Sequence, residues 1–358
     1  MWYINLFILI NVTSLKNSRL QSTDFNNLPF GMVFSDHMLI CNFKNNSWGP
    51  IQIKEYGDIS ISPAAQVFHY GQSVFEGMKA FKDSTNNILF FRRDENFKRI
   101  NQSAKRMAIP EISSEIFYDG LNTLLKLDSE WCKSDPGFSI YIRPFIFASE
   151  PCIKASSSNE YTFMIILSPT KTYYSDPIHL LIEQEYSRSA SGGVGFAKAA
   201  GNYGASFFPT NLAKKKGFTQ VIWTDSKNHT NIEESGTMNI WFVIDNILVT
   251  PKLSDTILGG ITRDSIIKIA IDLGLTVEER DISVDEILDS SNSGTLSEAF
   301  GTGTAVSVLP ISSITFKKDK IEFNNLESIA LKLKERLLSI QKGVDLNNYG
   351  WIDKLNIN

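Results

Sequence analysis

Beyond residue 178 the chain alternates short aliphatic runs with amphipathic stretches closed by glycine, a pattern that calls for strands joined by helices. His179 to Glu183 predicts a strand, Ser206 to Lys216 a helix closed by Gly217, and Gln220 to Thr224 another strand. Farther on, Thr262 to Leu273 predicts a helix stopped by Gly274, Val284 to Leu288 a short element, and Leu326 to Gln341 a long amphipathic helix ending near Gly343. An α/β class follows for this part.

The first part is richer in strands. Met38 to Phe43, Ile88 to Arg92, Phe138 to Phe147 and Tyr161 to Leu167 carry the apolar, β-branched and aromatic makeup of strands. Glu95 to Met107 sets Phe97, Ile100, Ala104 and Met107 three and four apart, opposite Lys98, Arg99 and Lys105, which predicts a half-buried helix. The Asn clusters at 44 to 46 and 86 to 87 predict turns, because Asn tolerates the left-handed backbone. Between Ser168 and Pro177, polar residues and two prolines interrupt the pattern. With 358 residues against a usual domain of ~100 to 200, two domains are expected. We place them at 1–170 (α+β) and 181–358, with a linker over 171–180.

Several function classes lose support at this level. Lys plus Arg is 35 and Asp plus Glu is 39, a net charge of −4 that gives no electrostatic reason for binding nucleic acid. Cys41, Cys132 and Cys152 are odd in number and widely spaced, so neither a disulfide framework nor a metal knuckle is expected, and a reducing, cytoplasmic setting fits best. The apolar run in Met1 to Val12 is shorter than the ~20 residues of a spanning helix and lacks a basic stretch ahead of it; a strand or ordered arm is expected there, with no membrane association. His37, His69, His179 and His229 show no metal-ligand spacing, and there is no G-x-S-x-G elbow or P-loop. His69 is expected to be a structural hydrogen-bonding residue.

The densest chemistry is at Gly192 to Gly204, where glycines and alanines surround Lys198 ahead of a Gly-Asn-Tyr-Gly turn. Small neighbours let an amine sit in a cavity, where desolvation favours its nucleophilic form. Taken alone, a lysine is more often solvated. Together with Glu233 to Asn239, however, this stretch resembles the branched-chain amino acid aminotransferases, pyridoxal-phosphate enzymes of fold type IV. The resemblance extends to Phe30 to Met38, Phe68 to Phe81, Tyr141 to Pro144, Gly260 to Arg263 and Phe300 to Ala305, in order, across about residues 28 to 345.

That resemblance implies an α/β fold with a barrel-like second domain, a homodimer, and pyridoxal 5'-phosphate held between the domains on Lys198. It implies reversible amino transfer between leucine, isoleucine or valine and 2-oxoglutarate. Tyr203 corresponds to the tyrosine that meets the cofactor phenolate, and a glutamate meets the ring nitrogen. Glu233 and Glu234 compete for that task; consecutive strand residues face opposite ways, and counting back from Gly236 selects Glu234, leaving Glu233 to solvent or a salt bridge. The amides of Ile261 and Thr262 at a helix start, the turn holding Thr304, and Arg99 are the phosphate donors. Ordinary turns and a solvated helix face are the plainer alternatives. Phe30, Phe75, Tyr141 and Tyr173 are expected to wall the substrate, with Thr237 beside the cofactor, Ala305 at the α-carboxylate, and Arg143 or a tyrosine at the second carboxylate of glutamate. Arg143 could instead pair with a buried acid. Tyr70, Ile153 and Ala155 are expected to reach in from a second subunit.

Two departures stand out. Some animal members carry Cys-x-x-Cys after the Gly-Thr-Ala turn, where this chain has Val306 and Leu309, so thiol regulation is not expected there. Ala200 replaces a common glycine, which a negative φ would tolerate. A D-amino acid aminotransferase, an aminodeoxychorismate lyase and a silent binding protein of the same fold are the alternatives; the Phe-Glu-Gly-Met-Lys and Gly-Thr-Met-Asn runs weigh against the first two, and intact Lys198, Tyr203 and Glu234 against the third.

Overall fold

The computed structural model describes residues 9–171, 178–324, 328–345 and 349–357. It forms two compact units: Met1–Thr172 with Gln341–Gly343 and Asn347–Asn358, and Tyr173–Ile340 with Val344–Leu346. Each holds a ten-stranded sheet. Among the described residues no helix is long and apolar enough to cross a membrane, and no cluster of His, Cys, Asp or Glu could hold a metal ion.

In the first unit the central pair is Phe138–Ala148 against Tyr161–Lys171, antiparallel over eleven residue pairs. The second strand runs through Pro169 to Lys171, so the polar stretch expected to be linker from 168 begins as strand; 172–177 lie outside the described residues. Pro169 is tolerated for a topological reason. It alternates with Leu167, whose carbonyl accepts from Ser35 N at 2.9 Å, so its missing N–H points past the start of the neighbouring strand His37–Lys44. Helices Arg93–Arg106 and Ser114–Leu127 cover one face, packing Ile100, Phe117, Leu121 and Leu124 on Leu39, Ile51 and Ile53. Ser113 caps the second helix, its hydroxyl accepting from Ile116 N. Asn45 and Asn46 take the left-handed turn expected of them, at φ 52° and 59°.

The chain's end departs from expectation. Ile352–Leu355 pairs antiparallel with Ile88–Phe91, so the last strand belongs to the first unit and not to the second, where the sequence places it. At the other end only Ile10–Val12 is described as strand, parallel to Ile51–Ile53, and residues 1–8 lie outside the described set.

In the second unit Met238–Ile244 is the hub, pairing with Ile232–Ser235, Ile247–Thr250 and Leu296–Gly303. Every residue of this hub is buried. Its hairpin turns on Asp245 and Asn246, both left-handed, a signal the sequence reading passed over. The helix expected from Ser206 starts six residues earlier, at Ala200, and runs to Lys215 through Pro209. Ala200 is its first residue and is absent from the positive-φ positions, which is why its methyl is tolerated. The short element at Val284 runs on to Asn292, and Ser283 caps its start, its hydroxyl accepting from Glu286 N. The last helix is described over Ile329–Gln341; its first amides, Ile329 N and Ala330 N, donate to the two carboxylate oxygens of Glu298 at 2.7 and 3.2 Å.

One buried ion pair of the first unit carries a pH signature. His37 Nδ1 lies 2.6 Å from Asp128 Oδ1, and His37 N donates to Asp128 Oδ2 at 2.9 Å. The Asp128 hydrogen bond raises the His37 pKa, against burial, with the charges of Asp128, Asp36 and Glu55 adding to the rise. A raised imidazole pKa stabilises the fold fully below the ordinary value of about 6.5 and loses that contribution as pH climbs through the folded value. Urea unfolding of Asp128→Asn is expected to show a deficit of ~1.5 to 3 kcal/mol at pH 6 that shrinks toward pH 9. A deficit independent of pH would contradict this assignment.

Candidate functional site

Lys198 sits just before the helix Ala200–Lys215, and the helix places Tyr203 within its reach: Lys198 Nζ donates to Tyr203 Oη at 2.7 Å. The loop ahead of the lysine is clamped from two sides. Asn202 Nδ2 donates to the carbonyls of Val194 and Ala197 at 2.8 and 3.0 Å, and Arg188 Nη2 to those of Gly195 and Thr256 at 2.9 and 2.7 Å. Gly195 is required by this packing, since a Cβ there would lie 2.5 Å from the Thr256 carbonyl oxygen.

Glu234, 3% exposed, faces a cavity lined also by Tyr203, Ser206, Thr237, Asn202 and Arg188. Its Oε2 lies 2.7 Å from Arg188 Nε, and its Oε1 accepts from Leu258 N at 2.7 Å. Burial raises its pKa; Arg188, the Leu258 amide and Lys198 pull the other way without cancelling the rise. The acid therefore gains from a further positive partner across the cavity. Glu233 corrects the expectation made for it. Among the described residues it is neither solvated nor in a direct ion pair, but buried on the other face of the strand, accepting a hydrogen bond from Thr256 Oγ1 at 2.6 Å.

The second unit's expected anion donors lie around the same hub strand. Gly260 caps the helix Ile261–Asp272, so the amides of Ile261 and Thr262 belong to its first turn. Asn239 ties this corner to Glu234: its Nδ2 donates to the Leu258 carbonyl at 2.9 Å and to Glu234 Oε1 at 3.5 Å. Asn239 pairs with Thr302 in register, which carries the turn of Thr304 and Ala305 to the end of the sheet where Thr237 lies. Gly301 leaves room for Met238, whose Sδ and Cε would both be 2.8 Å from a Cβ there. A glycine-lined corner with helix-start amides, a lysine and a buried acid is a donor set that fits pyridoxal phosphate.

The first unit gathers its own expected residues. Phe30 meets Tyr141 edge to face at 5.1 Å between centroids, and the Arg143 guanidinium lies 4.8 Å from the Phe75 ring and 5.3 Å from that of Tyr141. No carboxylate pairs with Arg143 among the described residues, and its Nη2 donates to Tyr141 Oη at 3.2 Å. Tyr141 can lie here because residue 77 is glycine: a Cβ would come within 2.8 Å of its ring. Arg99 is not on a solvated face. It is buried, with Nε and Nη2 on the two oxygens of Glu76 at 2.6 and 2.9 Å. Tyr70 is exposed and donates to the carbonyl of exposed Ile153, with Ala155 exposed nearby in the chain. His69 Nε2 lies 3.0 Å from the Pro63 carbonyl. Tyr173 is outside the described residues.

Arg188, Thr256 and Glu76 escaped the sequence reading. Glu76 lay inside a quoted motif, but Arg188 and Thr256 are isolated in sequence, and only folding brings them together.

Residues 73–314 match the amino-transferase class IV family. The branched-chain-amino-acid aminotransferase 2 of Bacillus subtilis (strain 168) is 41% identical over 350 residues, 96% of each chain. A solved branched-chain aminotransferase from Thermoproteus uzoniensis superposes with a TM-score of 0.74 at 23% identity, covering 89% of this chain and 100% of that one. The branched-chain amino acid aminotransferase of Thermobaculum terrenum, solved in its PLP form, gives 0.71 at 18% identity over 90% of this chain and 99% of its own. Likenesses at such identities speak for the fold, which is that of the type IV enzymes. The chain belongs to the branched-chain-amino-acid aminotransferases of class IV.

Gly260 offers a test of how tightly the corner is built. A Cβ there would lie 1.9 Å from Asn239 Oδ1, whereas at Gly259 it would meet only Leu253 Cδ1, at 3.8 Å. Gly260→Ala is expected to lose ~1 to 3 kcal/mol in urea unfolding and Gly259→Ala about 0.5 or less. Equal losses would show that Asn239 is free to yield.

Proposed function

We propose that the protein catalyses reversible amino transfer between L-leucine, L-isoleucine or L-valine and 2-oxoglutarate, with pyridoxal 5'-phosphate as cofactor. The observation that carries this reading is that Tyr203 joins Lys198 to the cavity in which the buried carboxylate of Glu234 stands. Bound pyridoxal phosphate supplies the electron sink for charge developing at substrate Cα. Lys198 would hold it and would carry the proton at substrate Cα, with Tyr203 Oη orienting the Lys198 amine. Glu234, whose ionised form Arg188 favours against burial, would face the ring nitrogen. The amides of Ile261 and Thr262 and the turn of Thr304 would hold the phosphate, and Thr237 would lie beside the cofactor. Glu76 fixes the Arg99 guanidinium through two hydrogen bonds.

Phe30, Phe75 and Tyr141 give an apolar wall suited to aliphatic side chains, while Arg143, held between aromatic rings, suits the second carboxylate of 2-oxoglutarate. Ala305 serves the substrate α-carboxylate. The exposed pair Tyr70 and Ile153, with Ala155, suits cover by a second copy of the chain. A cytoplasmic setting fits three free cysteines, two of them buried with thiols pushed up to about 12 by desolvation.

Purified protein loaded with pyridoxal phosphate is expected to form glutamate from 2-oxoglutarate when given L-leucine but not D-alanine, and Lys198→Ala to lower that rate ~10²- to 10⁴-fold or more. Arg143→Gln is expected to raise KM for 2-oxoglutarate about tenfold or more while changing that for leucine little. Activity with D-alanine alone would overturn the assignment.

A further inference from the structure

Glu233 is a buried acid beside the proposed site with no task in the chemistry above. It is 7% exposed; Oε1 accepts from Thr256 Oγ1 at 2.6 Å, and buried Oε2 finds no hydrogen-bond partner among the described residues. The guanidinium of Arg188 is committed to the other face of the strand, 2.7 Å from Glu234. Thr256 connects the two faces. Its N–H donates to Ser254 Oγ at 3.2 Å, the Ser254 and Thr256 hydroxyls lie 2.8 Å apart, and its carbonyl accepts from Arg188 Nη2 at 2.7 Å. With the Ser254 hydroxyl donating to Thr256, the Thr256 hydroxyl has one direction left for its proton, toward Glu233.

We propose that Glu233 is a positioning residue: through Thr256 it fixes Arg188, and through Arg188 it fixes the carboxylate of Glu234. The inference rests on the role proposed for Glu234. Glu233 does this as a neutral acid, because an unpartnered buried oxygen costs far less on a neutral carboxyl than on a carboxylate. The surrounding charges agree: burial raises the Glu233 pKa, Asp225 and Asp255 add to the rise, and the Thr256 hydrogen bond and Arg188 oppose it. Glu234 in turn feels Arg188, Lys198 and Glu233. A neutral Glu233 avoids placing a second negative charge behind Glu234, yet keeps an acceptor for Thr256.

The sign of one shift decides between a positioning acid and a mere neighbouring charge. In full-length protein labelled with ¹³C at the glutamate carboxyls and free of cofactor, Glu233→Ala and Thr256→Val are expected to raise the Glu234 titration midpoint by about half a unit or more, since a loosened Arg188 no longer favours its ionised form. Glu233→Gln and Thr256→Ser keep the acceptor and the hydroxyl and are expected to leave the midpoint in place. Titrating pyridoxal phosphate against tryptophan fluorescence, the first two variants are expected to bind about five- to tenfold more weakly, and their combination no worse than either alone. A midpoint that falls in both Glu233→Gln and Glu233→Ala would make Glu233 an ionised repelling group, and a midpoint unmoved by Glu233→Ala and Thr256→Val would remove the relay; either overturns the proposal. Should Glu233→Ala fail to fold, the contrast between Thr256→Val and Thr256→Ser decides the same question. Parent protein that takes up no pyridoxal phosphate would refute the proposed function, while the Glu234 midpoints still judge the relay.

Discussion

The second unit depends on one buried guanidinium. Arg188 reaches a carboxylate on a strand, a carbonyl in the lysine loop and a carbonyl in the loop that follows the hairpin, so three segments far apart in sequence are set by one rigid fork of donors. Lysine could not do this, because its single ammonium cannot meet a carboxylate and two divergent carbonyls in fixed directions. The desolvation of such a group is offset only when its partners are close and numerous. Close partners require that the backbone come near, and Gly195 leaves no Cβ in the way.

The first unit solves a similar problem with different parts. Glu76 is fully buried, yet it accepts from Arg99 twice, from Asn96 and from the Gly77 amide. This acid is available because the sheet is interrupted at it. Ser73–Phe75 and Met78–Lys82 both pair with the strand Phe138–Ala148, and the two residues between them lie opposite Arg143 and Pro144. Proline has no N–H to offer a ladder, so the break falls where a regular bond would be lost anyway. The freed Glu76 turns to the helix, and Gly77 leaves the space that the Tyr141 ring occupies. The same interruption thus sets both a buried arginine held by a glutamate and the place of the Tyr141 ring.

Much of this was legible in the sequence, for identifiable reasons. Lys198, Tyr203 and Glu234 lie in short, glycine-marked runs whose spacing survives folding, since a helix turn or a strand pleat fixes the geometry locally. The strands from Phe138 and Tyr161 and the Asn turns were legible because alternation and left-handed backbone are local properties. Boundaries failed where a distant partner decides them. Pro169 stays in its strand because it lies beyond the start of the neighbouring strand, and Ile352–Leu355 joins the first unit because Ile88–Phe91 leaves an open edge. Arg188 and Thr256 carry no local signature at all; their meaning exists only in three dimensions.

Glu233 shows why alternation alone misleads. The pleat correctly sends two consecutive glutamates to opposite faces, and an amphipathic sheet would then put one of them in water. This sheet is buried on both faces at that point, as the burial of all four residues of Ile232–Ser235 shows. An acid on the far face must therefore find a hydrogen bond inside the protein or give up its charge. Thr256 supplies the bond, and it is the same residue whose carbonyl holds Arg188. Burying both faces couples the two acids through a neutral hydroxyl, where a strand with one wet face would have left them independent.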